Sequence, residues 1–242
     1  MHKITLIIHI AIVFCNGISN ASMENYKMTA KTFFGFEEIV AKELKLLGAQ
    51  QVEIGTRVVH FKGDKGFMYK ANLALRTALK ILKPIKTFRA HNEKTLYDGI
   101  MAIDWTDYLT PHLTFLVETT LHSENFNHSQ FVALKTKDAI VGKRPSIDKD
   151  FPDLQIHVHI DRDTVTVSLD SSGASLHHRG YRTATNIAPI NEVLAAGMLI
   201  LSGWEGNSHF VDPMCGSGTI LADAAMIACD IPAHMTRRES GI

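Results

Sequence analysis

The sequence predicts an α+β module over roughly its first two thirds, followed by the opening of an α/β, doubly wound unit. Three observations carry this. Between residues 27 and 63 the hydrophobic period runs two, then 3.6, then two again, which gives strand, helix, strand, strand. Residues 154–169 hold two alternating strands around an Asp161-Arg162-Asp163 turn. After residue 185 an apolar helix, a short apolar run and a glycine turn into a second helix follow one another, which is how a parallel doubly wound sheet begins.

The elements follow in order. Residues 27–32 read as a strand. Residues 35–48 read as a helix whose apolar stripe is Phe36, Ile39, Val40, Leu44 and Leu47, with Gly48 as its stop. Two strands, 51–55 and 57–63, surround a turn at Gly55. A second helix is expected over 65–83, with Phe67, Ala71, Leu75, Ala78 and Leu82 on one stripe and Pro84 ending it. This order suggests a small ferredoxin-like unit with an antiparallel sheet. The pattern partly recurs with a strand at 113–121, a helix at 128–143 and the 154–169 hairpin. Residues 171–189 are rich in Gly, Ser and Thr and read as a linker. A helix at 190–204, a short buried strand at 209–213 and a helix at 218–229 complete the chain.

Composition narrows the function classes. Of 242 residues 45% are apolar, enough to bury a core, and 25 basic side chains balance 25 acidic ones. Attraction to a polyanion must therefore come from local patches. Cys15, Cys215 and Cys229 form neither a paired framework nor a metal spacing, which points to a reducing compartment. Residues 1–22 have one basic residue, Lys3, ahead of an apolar run over 4–14 and then small polar residues. They read either as a secretory signal or as an extension upstream of a natural start at Met23. The run is shorter than the about 20 residues a membrane helix needs, so no membrane partner is expected.

The chemistry concentrates in "VDPMCGSGTI", residues 211–220. Gly216 and Gly218 permit positive φ and close ligand approach, the helix that follows offers free N–H groups, and Asp212 adds a carboxylate to the same crevice. The P-loop lysine and a third glycine are both missing, so a ligand with an amino-acid moiety and a ribose fits better than a pyrophosphate. Basic residues form a second feature. The helix over 130–144 carries Lys135, Lys137, Lys143 and Arg144 against one acid, Asp138, while Arg179 and Arg182 follow in the linker with Tyr181 between them. Such clusters neutralise phosphates, and a tyrosine can stack on a base. His157 and His159 share one face of a strand; with no third ligand they are expected to face solvent, and no metal is expected. The sequons at Asn20 and Asn127 are read as chance.

"DPMCGSGTI" followed by "AAMIA" resembles the first S-adenosylmethionine motif of the THUMP-domain RNA guanine-N2 methyltransferases. The resemblance extends upstream through "SLHHRGYR" (175–182), "APINEVLAAGMLILSGW" (188–204), "SQFVALKTKDAIV", "AIDW" and "VHFKGD", so that it covers the chain from about Met23 onward. It is nearest to the bacterial enzymes acting on 23S rRNA. It implies a ferredoxin-like part over 23–65, a THUMP domain over 66–175, and a linker with the start of a Rossmann-like methyltransferase domain over 176–242. It also implies S-adenosylmethionine as cofactor, lined by Asp212, Gly216, Gly218 and Thr219, with Glu192 on the bordering helix and Asn191 where many relatives carry lysine. Cys215 stands where the family has a small, partly buried residue and is read as structural. The substrate implied is large-subunit rRNA, in the cytoplasm, with an RNA-facing role for Arg179, Tyr181 and Arg182. The family's Asn/Asp-Pro-Pro-Tyr catalytic loop has no counterpart in the sequence. The chain is therefore expected to stop inside its catalytic domain, to have no assignable catalytic residue and to be inactive alone. Methylation of tRNA and a non-catalytic RNA-binding module are the alternatives.

Overall fold

A single eight-stranded sheet organises the computed structural model, which describes residues 24–110, 112–141, 146–148, 152–182 and 189–237. The leader-like segment 1–22, together with Lys143 and Arg144, lies outside the described residues. In chain order the elements are β1 (Tyr26–Lys31), α1 (Glu37–Leu47), β2 (Gln50–Ile54), β3 (Val58–Gly63), α2 (Lys65–Ala74), β4 (Lys80–Arg89), α3 (Glu93–Met101), β5 (Thr114–His122), α4 (Ser129–Val141), β6 (Ser146–Ile147), β7 (Leu154–Asp161), β8 (Thr164–Asp170), α5 (Glu192–Leu201) and α6 (Thr219–Ala228). The strand order is β2-β3-β1-β4-β8-β7-β5-β6. Pairing is antiparallel except where β5 runs parallel to β6 and β7.

Two cores sit on one face of this sheet. Helices α1 and α2 cover the β1–β3–β4 half through Met28, Val40, Leu44, Phe61, Met68 and Ile81. Helices α3 and α4 cover the other half through Leu96, Ile100, Phe115, Val132, Ile156 and Val165. Strand β4 joins the halves by pairing with β1 on one side and β8 on the other. The opposite face is polar and strongly concave. Lys31 on β1 donates to Thr120 on β5 at 3.3 Å, although three strands separate them. In a flat sheet four spacings of about 4.8 Å would keep those side chains apart.

That curl corrects the reading of His157. It is 4% exposed rather than solvent-facing, its Nε2 lying 3.0 Å from the Lys31 ammonium and 3.1 Å from the Thr120 hydroxyl. Burial, and then the neighbouring lysines, push its pKa down to about 3. His159, on the same side of β7, remains exposed. Among the described residues no group of three or more His, Cys, Asp or Glu side chains could hold a metal ion. No helix among them is long and apolar enough to cross a membrane.

Two expected elements differ. The helix over 65–83 ends at Ala74, and the chain continues into β4. The stop comes from α1. The Glu43 carboxylate, partly buried, accepts from the backbone N–H groups of Arg76 (2.9 Å) and Thr77 (3.2 Å) and from the Thr77 hydroxyl, which turns the chain out of the helix. Pro84 then falls in β4 at a register shift, where a missing N–H is tolerated. The strand expected at 209–213 is also not formed. All eight strands of the sheet precede it, no strand among the described residues runs alongside it, and Val211 is 80% exposed. A strand without a ladder partner leaves its backbone groups to water.

The segment read as a linker is irregular but docked. Leu176 is part of the α1–α2 core, and its N–H donates to the Leu79 carbonyl at 2.8 Å. Helix α3 packs through Gly99, where an added Cβ would lie 2.2 Å from the Phe88 ring. In an exposed helix Gly→Ala stabilises by about 1 kcal/mol. Here overpacking, which costs about 1–3 kcal/mol, outweighs that gain. Gly99→Ala is therefore expected to lower the urea midpoint, and a raised midpoint would show that the ring moves aside freely.

Candidate cofactor site and basic residues

The site is built where three short segments meet: 177–182, the start of α5, and the turn at 212–219. Helix α5 begins at Asn191, whose side chain caps it by accepting from Val193 N (2.9 Å) and Leu194 N (3.3 Å). Glu192, the first helical residue, is 7% exposed. The turn before α6 takes the conformation its glycines allow, with φ +52° at Gly216 and +75° at Gly218. The Gly218 N–H donates to the Cys215 carbonyl at 2.7 Å, and no side chain among the described residues caps the first N–H groups of α6. A Cβ at either glycine would meet nothing within 4 Å among the described residues, so the turn is open on the side facing away from them. Asp212 accepts from Met214 N at 3.0 Å and so closes its own turn. Cys215 is exposed rather than partly buried.

Arg182 ties these pieces together. Its Nε and Nη2 donate to Glu192 Oε1 at 3.1 and 2.8 Å, Nη2 also donates to the Thr219 hydroxyl at 2.8 Å, and Nη1 donates to the Ser217 hydroxyl at 3.1 Å. Thr219 is buried beneath this contact. The expected RNA-facing Arg182 is thus engaged by four hydrogen bonds within the protein. Tyr181 stands next to it in the chain. It is half-buried, its hydroxyl has no hydrogen-bond partner among the described residues, and burial followed by the nearby Asp223 pushes its pKa up to about 12.

Arg179 is also inside, 1% exposed, among the largest fully buried side chains. It donates to the carbonyls of Leu176 (3.1 Å) and Arg76 (2.5 Å), lies 2.7 Å from His234 Nε2, and faces the Asp223 carboxylate at 3.8 Å. It cannot reach RNA from there. Asp223 is 0% exposed, and burial raises its pKa to about 6 even with Arg179 opposing. His177 and His178 stack at 3.8 Å between ring centroids beside a cavity of about 320 Å³ that Tyr181, Arg182, Pro189 and Glu192 also line.

On α4, Lys135 pairs with Glu93 of α3 and lies 5.7 Å from the Phe131 ring, while Lys137 is partly exposed on the same helix. The structure thus gathers Glu192, Gly216, Gly218 and Thr219 into one site. It adds Ser217 and Arg182 to it and leaves Asp212 on its own turn, while Lys135 and Lys137 sit on α4, which packs against α3 and β5.

Comparison with known proteins assigns three domains along the chain. A model of the RlmL ferredoxin-like domain matches residues 27–82, a THUMP domain model matches 90–170, and an RMKL-like methyltransferase domain model matches 179–241. The first match runs past residue 65 and takes in α2 and the first residues of β4. Among solved structures the chain is similar to a predicted N6-adenine-specific DNA methylase from Listeria monocytogenes, at 32% identity and a TM-score of 0.78. It is similar to SMU.472, a putative methyltransferase complexed with SAH, at 33% and 0.77, and to a possible methylase from Clostridium difficile at 33% and 0.78. Each similarity covers 90% of this chain, and the chain spans 59% of the length of those three proteins.

Proposed function

The chain belongs to the THUMP-containing methyltransferases, and from that premise we propose that it serves S-adenosylmethionine-dependent methylation of a guanine exocyclic amino group in large-subunit rRNA. The observation that carries the cofactor half of this reading is the turn at Gly216–Gly218. Two left-handed glycines have no neighbour within 4 Å of an added Cβ among the described residues, and none of those residues caps the first N–H groups of α6 with its side chain. Such a terminus favours an anionic group, as the cofactor's carboxylate is. Gly216, Gly218, Thr219 and Glu192 would hold the cofactor, with Asp212 at the edge of the turn. When bound, its sulfonium supplies an electrophilic methyl group. SMU.472, a third identical in sequence, is complexed with SAH.

RNA is brought by the THUMP domain. With Arg179 buried and Arg182 tied to Glu192, Ser217 and Thr219, Lys135 and Lys137 are the phosphate contacts left from the basic residues read in the sequence, together with Lys143 and Arg144. A ribosomal substrate places the activity in the cytoplasm.

In calorimetry the 242-residue chain is expected to bind S-adenosylmethionine one to one. It is expected to bind an rRNA fragment more tightly than tRNA, with a log K–log salt slope of about 0.7 per phosphate neutralised on single strands. Methyl transfer is expected to be undetectable, because no Asn/Asp-Pro-Pro-Tyr sequence is present to orient the acceptor nitrogen. RNA binding without any cofactor heat would favour a non-catalytic RNA-binding module, and transfer of a labelled methyl group by this chain would overturn the inactivity.

A further inference from the structure

Residues 179–182 form a strap whose two arginines grip consecutive turns of one helix. Thr219 and Asp223 are four apart on α6 and lie on the same side of it. Arg182 takes the hydroxyl of Thr219, and Arg179 faces the carboxylate of Asp223. Between them Gly180 sits at φ +86°, where an added Cβ would be 2.7 Å from the Thr236 carbonyl oxygen. The strap is thus pinned from behind by the returning segment, and the Thr236 hydroxyl donates to the Arg179 carbonyl at 2.9 Å. Arg179 in turn is fixed to the ferredoxin-like unit through the Arg76 carbonyl, and Arg76 donates back to the Ile231 carbonyl at 2.7 Å. The glycine turn is therefore held from the ferredoxin-like unit.

We propose that Arg182 is a positioning residue of the cofactor turn, carried on a strap that Arg179 anchors in the ferredoxin-like unit. Ser217 and Thr219 flank Gly218, and one guanidinium holds both hydroxyls while neutralising the buried Glu192. Fixing both neighbours of Gly218 fixes the left-handed conformation on which the exposed N–H groups of α6 depend. The inference rests on the cofactor reading of the turn, but it concerns contacts that exist without ligand.

Arg182→Lys separates the roles. The ammonium still compensates Glu192, so global stability is kept, but it cannot span three partners as the planar fork does. In the full chain the expected result is faster amide hydrogen exchange over residues 217–222 with an unchanged urea midpoint. S-adenosylmethionine affinity is expected to fall about tenfold, the order of one lost charge-assisted hydrogen bond. RNA affinity and its salt slope are expected to stay within twofold of the wild type. If RNA affinity falls, the salt slope drops by about 0.7 and exchange over 217–222 is unaltered, Arg182 is a phosphate contact and the proposal is overturned. Unchanged exchange and unchanged cofactor affinity together overturn it equally. A wild-type chain that binds no cofactor would defeat the proposed function, while the exchange comparison would still decide whether Arg182 orders the turn.

Discussion

Replacing Arg179 with methionine is expected to destabilise the protein by about 3–5 kcal/mol, the range for breaking a buried ion pair from one side. The arginine side chain is wholly buried, and so is the Asp223 carboxylate it faces at 3.8 Å. Methionine fills much of the volume but leaves two carbonyl acceptors, on Leu176 and Arg76, without their donor and Asp223 without its counter-charge. The loss should depend on pH. Folding raises the Asp223 pKa from 3.8 to about 6, so the native state holds this proton more tightly than the unfolded chain. The cost of burying the charge is absent below about pH 4, grows as pH rises to about 6 and is constant above that. Without Arg179 the folded pKa moves higher still, so the variant keeps losing stability above pH 6, where the wild-type contribution is flat. Urea midpoints from pH 4 to 8 would show the gap between the two widening with pH. Adding Asp223→Asn to Arg179→Met should recover part of the loss at pH 7 and little at pH 4. A loss independent of pH, with no recovery in the double variant, would mean that Arg179 acts through packing and carbonyl contacts alone.

The same pair shows where sequence reading reaches its limit. Helices α1, α4, α5 and α6 and the β7–β8 hairpin were legible because their apolar periods are local, and Gly48 and the Asp161–Asp163 turn mark boundaries on the spot. Strand β4 was not. The stripe Phe67, Ala71, Leu75, Ala78, Leu82 satisfies a helical period, and the carboxylate that ends α2 arrives from Glu43, more than thirty positions earlier. Helix α3 carries two local signals, the Asn92–Thr95 capping pair and the apolar pair Leu96 and Ile100, but it is only nine residues long and holds few apolar side chains. The strand expected at 209–213 looked right as a short apolar run, but pairing decides whether a strand exists.

At the site, the glycines were legible because positive φ is a property of the residue itself. The arginines of "HHRGYR" were misplaced because basic residues in a polar stretch look solvated. The acids that claim them, Glu192 and Asp223, lie ten and forty-four positions further on, each in an otherwise apolar helix. A lone carboxylate in the apolar run of α6 is the one signal that could have pointed to a buried cation. His157 failed differently, since the alternation of β7 was read correctly while the curl of the sheet, a property of eight strands together, was not visible in one of them.

Gly218→Val is expected to abolish most cofactor affinity while the chain still folds. Gly218 holds φ +75° and ψ 19°, a conformation that costs a non-glycine residue about 1–3 kcal/mol, and a β-branched one the upper part of that range. Its N–H and carbonyl are both used, in bonds to Cys215 and from Ala222, so the turn cannot relax without fraying the first turn of α6. No atom lies within 4 Å of a Cβ built there, so the penalty is conformational and the new side chain points into the space proposed for the cofactor. Strain and occupancy act in the same direction. A loss of 2 kcal/mol alone is about 30-fold in Kd, and the two together should exceed it. Gly203 supplies the control. It holds φ +73° just after α5, its Cβ position is equally open, and it touches none of the cofactor-turn residues. Gly203→Val should therefore lower the thermal midpoint to a similar extent and leave cofactor affinity where it was. If calorimetry finds the two variants equally impaired in binding, the loss reports general stability. If Gly218→Val binds like the wild type, the turn at 216–218 is not where the cofactor sits.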